Sequence, residues 1–193
     1  LGNSSINFNG QVENILPYIF KQRKEFDLNG NLKVGSFKIN DWLKSSDKKQ
    51  NDNSKKGNEN LKLNTVSKFG LPTFLNTNIK AEFAKLVYEK TEMNNFKAII
   101  KLYNGNLSLE DMSFLAYGGE IKGKASLIIN NKPKVFGDLN LKKIDASKFF
   151  YAMNEFGQNS LTSKNIKGKV TADINFSSWP LSSSLYAKSV SWP

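Results

Sequence analysis

The chain has no cysteine and no histidine, and Arg23 is its only arginine. Without cysteine there is no disulfide, no thiolate nucleophile and no cysteine-ligated metal. Without histidine, imidazole general bases, Ser-His-Asp triads and histidine-held metals are excluded. Neither GxxxxGK[ST] nor GxGxxG occurs, so the glycine-rich phosphate cradles are missing too. The carboxylates do not compensate. Glu110 and Asp111 are sequence neighbours, which on a strand point to opposite faces, and Asp138 stands apart from both. The sequence therefore predicts no catalytic residue, no metal ligand set and no cofactor.

Long apolar runs are also absent: nothing approaches the roughly 20 residues that a membrane-spanning helix needs, and the first ten residues lack the pattern of a signal peptide. The segment is expected to be soluble. Opening on Leu1 and stopping at Pro193, it reads as a piece of a longer protein.

The scarcity of arginine redirects what the formal charge of +11 implies. Nucleic-acid recognition favours the guanidinium fork and clustered cations. Here the lysines scatter, and many fall on the polar side of alternating segments, as Lys122 and Lys124 do, and Lys167 and Lys169. They read as a solvated face, with weak attraction to anionic headgroups as a secondary property. No nucleic-acid partner is expected.

Three regions follow from composition. Residues 1–44 form an N-terminal strand and helix unit. Residues 45–60, SSDKKQNDNSKKGNEN, carry no apolar side chain and read as a flexible polar linker or loop, and their lysines stand where a calcium loop needs oxygen ligands. Residues 61–193 form a β domain in which short alternating segments recur between turn signals.

Several local elements are legible. Phe96, Ala98, Ile100 and Leu102 alternate into Asn104-Gly105, a pair suited to a tight hairpin turn, and Leu107 and Leu109 alternate back. Gly118-Gly119 marks a turn or bulge, and residues 130–133 mark a second return between Ile121–Ile129 and Val135–Leu141. Ile166, Gly168, Val170, Ala172, Ile174 and Phe176 alternate with polar residues along one further strand. Asp145 is placed to cap a helix over 146–156 that exits at Gly157, with Phe149, Phe150, Met153 and Phe156 as an aromatic stripe. A second helix is expected within Val12–Phe26, entered near Pro17. A weak repeat relates Gly30–Leu43 to Gly137–Phe150, and INFNG at Ile6 to INFSS at Ile174. The predicted fold is mainly β: an elongated, curved antiparallel sheet, forming an open groove or a sandwich, with one or two short helices.

With these pieces placed, the chain resembles the AsmA-like family, in particular its C-terminal region as found in Bacteroidota. The resemblance covers roughly residues 61 to 178. It rests on Leu71-Pro72, Val87–Lys90, Gly118–Leu127, and the run Phe156, Gly157, Gln158, Thr162, Lys164, Asn165, Ile166, Lys167, Gly168 and Lys169. That family is similar to TamB and to bridge-like lipid transfer proteins. What the resemblance implies is a non-enzymatic segment of a periplasmic envelope protein, anchored in the inner membrane in its full-length form. It would carry phospholipid, or another acyl-chain lipid, between envelope membranes for outer-membrane biogenesis.

One-sided strands suit that task, because an acyl chain needs a continuous apolar surface. Phe96, Ile100, Leu102, Leu107, Leu109, Ile121, Leu127, Leu139, Val170, Ile174 and Phe176 are the candidate lipid-groove residues. The competing reading is a structural or protein-interaction β module of the envelope that binds no lipid, its apolar face being packed against protein.

Overall fold

A computed structural model describes residues 5–41, 71–128, 134–157, 160–178 and 185–191. The polar stretch 45–60 and the return at 130–133 lie outside the described residues.

Nine strands lie in one sheet in chain order: β1 (Ile6–Glu13), β2 (Phe26–Lys38), β3 (Leu75–Tyr88), β4 (Thr91–Tyr103), β5 (Asn106–Ala116), β6 (Gly119–Ile128), β7 (Lys134–Asp145), β8 (Lys169–Ser178) and β9 (Leu185–Ser191). The sheet is open, with β1 and β9 at its edges. Among the described residues, short helices α1 (Ile15–Ile19) and α2 (Ala146–Ala152) sit at connections, and a helical turn at 39–41 follows β2.

The mainly β architecture agrees with the alternation in the sequence, with one departure. Seven neighbouring pairs are antiparallel, but β2 runs parallel to β3, with Phe26 opposite Leu75 and Val34 opposite Phe83. A parallel pair cannot be closed by a two-residue turn and needs a crossover of a dozen residues or more. Residues 39–74 supply it, so the strands before and after the polar stretch share one sheet.

The tight turns fall where their chemistry demands. Asn104 and Gly105 have φ of 49° and 72°, the paired positive values of a turn whose twist matches the flanking strands. The turn before β6 uses Tyr117 and Gly118 at 52° and 72°, while Gly119 is already paired with Ala116.

Three local expectations need correction. The helix within Val12–Phe26 is a single turn, because Ile6–Glu13 and Phe26–Lys38 are strands and α1 merely joins them. Pro17 is tolerated there since its missing N–H falls in the first turn. The helix capped by Asp145 ends at Ala152 rather than Phe156. Asn154, Glu155 and Phe156 adopt left-handed φ, and both Glu155 carboxylate oxygens accept from Ser163, through its N–H and its Oγ, each at 2.7 Å. Phe156 thereby folds back onto Phe150, with centroids 4.9 Å apart, and the aromatic contact comes from this reversal instead of helical spacing. Finally, β8 starts at Lys169. Gly168 at φ 113° separates Ile166 from the strand, although Ile166 is buried.

The repeat has a structural counterpart. β2 runs into a helical turn at 39–41 and β7 runs into α2, whose first turn is capped by Asp145 Oδ1 accepting from the Lys148 N–H at 3.0 Å. In each copy a phenylalanine ring lies over a glycine of the neighbouring strand: Phe8 over Gly30, and Phe176 over Gly137.

Candidate functional site

Residues directly opposite on paired strands share a face, so register fixes which side chains stand together. One row runs Val12, Leu28, Thr77, Leu102, Leu107, Leu127, Val135 across β1 to β7. The next runs Gly10, Gly30, Ile79, Ile100, Leu109, Ala125, Gly137, Phe176. Leu139 stands opposite Ile174, and Phe114 lies level with Ile121, Leu141 and Ala172. Val170, opposite Ile144, extends the same side of β8. All eleven candidate groove residues therefore occupy one face of one sheet.

The opposite face is ionic. Lys101 Nζ lies 2.5 Å from Glu110, Lys124 lies 3.3 Å from Asp138 and Lys33 lies 3.7 Å from Glu82. Asn140 donates to Asp173 at 2.7 Å, and Asn175 to Asp138 at 2.5 Å. These exposed pairs contribute little stability each, but they assign the lysines to the wet side.

Keeping the apolar side continuous required breaking the period of two. On β4 the apolar positions pass from Phe96 to Met93, on β5 from Leu109 to Met112, and on β7 from Leu141 to Ile144, each an odd step. A residue with left-handed φ sits inside every one of these steps: Asn95 at 52°, Asp111 at 48° and Lys143 at 57°. Each β-bulge inserts one residue, re-phases the strand and bends it. The pairing also skips Gly35 and Ala84, level with Asn95, so the slip crosses three adjacent strands. This is why Met112, Phe114 and Ile144 escape simple alternation counting. The signal that could have found them is a polar residue, Asn95, Asp111 or Lys143, interrupting each strand.

Burial grades across the face. Phe96, Leu102 and Ile121 are buried, Ile121 to 3% exposure, by their neighbours within the sheet, whereas the other eight candidates are half-buried. Aromatic rings bridge β2 to β5: Phe37 to Phe83 at 6.0 Å, Phe83 to Phe96 at 5.9 Å and Phe96 to Phe114 at 5.8 Å. Toward β1 the face opens, with Ile6, Phe8 and Val12 exposed. The two helices sit at its ends. Tyr18 of α1 packs on Phe26 at 5.2 Å, and Phe149 of α2 on Tyr117 at 5.5 Å. Among the described residues, no element lies across the middle of this face.

No protein-family model, curated protein or solved structure matches this chain. Chemistry must therefore be read from the residues alone. Among the described residues no three carboxylate side chains gather as a metal site, and no helix is long and apolar enough to cross a membrane. Among the described residues, two titrating groups are displaced. Asp27 is held below the ordinary carboxylate value, first by the Asn14 amide at 2.6 Å and then by the Asn76 amide at 3.1 Å. Burial pushes the Tyr117 phenol up, opposed by its 2.6 Å hydrogen bond with Thr91. A cleft of about 640 Å³ beside α2 is lined by Lys90, Glu92, Lys148 and Tyr151, with Lys90 Nζ 4.4 Å from the Tyr151 ring centre.

Proposed function

We propose that the chain is a non-enzymatic, lipid-handling segment of a periplasmic envelope protein, which holds phospholipid acyl chains on the apolar face of its open sheet during transport toward the outer membrane. The observation that carries this reading is the single layer itself. An amphipathic sheet buries its apolar face against a second layer, and none of the described elements forms one. Nine strands at about 4.8 Å spacing make a face about 38 Å wide, enough to lay down an acyl chain. A chain lying on it with one side toward water gains roughly half of the full transfer energy, about 0.4 kcal/mol per CH2. The resemblance of residues 61–178 to the AsmA-like family supports the same reading.

The near-complete burial of Phe96, Leu102 and Ile121 favours a second reading, a structural or protein-interaction module of the envelope. The half-buried residues separate the two. Mass spectrometry of organic extracts and crosslinking to a photoactivatable phospholipid are expected to find lipid on the purified chain. Ile100→Asp and Leu109→Asp are expected to abolish it, and Ser108→Asp on the ionic face to leave it unchanged. A folded wild-type chain with no extractable lipid and no crosslink overturns the proposal in favour of the interaction module.

A further inference from the structure

The connection between β1 and β2 combines exposed grease with cations. It reads Ile15-Leu16-Pro17-Tyr18-Ile19-Phe20-Lys21-Gln22-Arg23-Lys24 and includes the only arginine of the chain. Leu16, Ile19 and Phe20 are 61%, 59% and 68% exposed. Three large apolar side chains held in water on one turn mark a contact surface. Lys21, Arg23 and Lys24, all exposed, follow immediately.

The turn is built, not loose. The Phe20 N–H donates to the Leu16 carbonyl at 2.9 Å, and the Gln22 and Arg23 N–H groups both donate to the Pro17 carbonyl, at 2.8 and 3.1 Å. Tyr18 is the inward anchor, packed on Phe26 and, at 5.9 Å, on Phe74. Of the acidic groups nearby, Glu25 and Asp27 are taken up at the base, while Glu13 at the end of β1 is exposed. Asn76 Nδ2 donates to Glu25 at 2.9 Å and to Asp27 at 3.1 Å, and Asn14 closes onto Asp27. The loop thus separates its charges, with the Glu25 and Asp27 carboxylates held by Asn76 and Asn14 and the cations beside the exposed apolar tip.

That combination is the chemistry of a peripheral membrane contact, in which apolar side chains enter the headgroup–acyl boundary and flanking cations meet anionic headgroups. Its place adds a reason. Phe26, on which the loop is anchored, continues the apolar side of β2 two residues beyond Leu28, so the loop stands at one end of the lipid-contacting face. We infer that residues 15–24 dock the protein on an anionic phospholipid bilayer, with Leu16, Ile19 and Phe20 inserted and Lys21, Arg23 and Lys24 on the headgroups. This names the lipid source for the face proposed above, and it rests on that reading for its purpose but not for its chemistry.

The absence of cysteine makes the test direct. Phe20→Cys, labelled with an environment-sensitive fluorophore, is mixed with vesicles of phosphatidylcholine alone or with phosphatidylglycerol, and Lys142→Cys on the ionic face is the control. The expected result is a blue-shifted, brighter emission at position 20 with anionic vesicles, quenched by acyl-chain quenchers, and no change at position 142. Replacing Lys21, Arg23 and Lys24 with glutamine is expected to weaken partition about fivefold per charge, on the order of 100-fold together. No change at position 20, or an equal change at both positions, overturns the inference and points to diffuse adsorption through the lysines. Lipid extraction from the unlabelled chain reads the acyl-chain site separately, so either proposal can fail alone.

Discussion

Phe176 lies with its ring across Gly137: a Cβ added to that glycine would meet the ring Cζ at 2.8 Å and the Lys124 carbonyl oxygen at 2.3 Å. The pair is the β7–β8 contact that lets an aromatic side chain lie flat on the apolar face. Gly137→Ala is expected to destabilise the chain by about 1–3 kcal/mol, the usual cost of overpacking. In a double-mutant cycle with Phe176→Leu, read from urea unfolding midpoints, the two changes are expected to couple by about 1 kcal/mol. Strict additivity would show that the ring is not the obstacle and that the backbone clash alone sets the cost.

The bulge on β7 gives a prediction of opposite signs at one position. Lys143 sits at φ 57°, a conformation that costs an L-residue about 1–2 kcal/mol and costs glycine almost nothing. Its N–H still reaches Thr171 Oγ1 at 3.3 Å, a donor that glycine and valine both keep. Lys143→Gly should therefore raise the thermal midpoint and Lys143→Val should lower it. If both lower it, the lysine side chain contributes more than the backbone geometry allows.

These two sites show what the sequence discloses and what it hides. Alternation put all eleven candidates on one face, as the register does, since period two and burial on one side are the same physical fact along an unbroken strand. The Asn104-Gly105 turn and the Asp145 cap were legible because single residue types carry their geometry. The bulges were passed over, because one inserted residue reverses the phase and its local mark is no more than one polar residue, Asn95, Asp111 or Lys143, inside the strand. The direction of β3 relative to β2 was hidden for a different reason: it is settled by the crossover, which is too long for turn chemistry to dictate. The end of α2 depended on Glu155 meeting Ser163, a contact invisible to helical spacing.

Asp27 makes stability depend on acid pH. Its carboxyl is held below the ordinary value of 3.8 by hydrogen bonds from Asn14 and Asn76, with a smaller contribution from the charge of Arg23. A depressed folded-state value means that the stabilisation is fully present above the unfolded value. It is lost as pH falls through the lower folded value. The margin by which wild type outlasts Asp27→Asn in thermal melts is expected to be largest near neutral pH and to shrink below about pH 4. Asn14→Ala should flatten the same acid limb. A margin that stays constant down to the acid limit would mean that Asp27 titrates as it does in the unfolded chain.

The parallel junction of β2 with β3 also divides the way the chain assembles. Every pairing from β3 to β7 is between sequence neighbours, and the described turns between them, at β3–β4, β4–β5 and β5–β6, close with two residues. Joining β2 to β3 means closing residues 39–74, which costs about 2.5 kcal/mol more chain entropy than a two-residue turn. The β1–β2 hairpin, with the apolar and cationic loop between its strands, is therefore the part of the sheet whose docking chain entropy most opposes. The element proposed to meet the membrane is also the one whose release from the sheet loop entropy most favours.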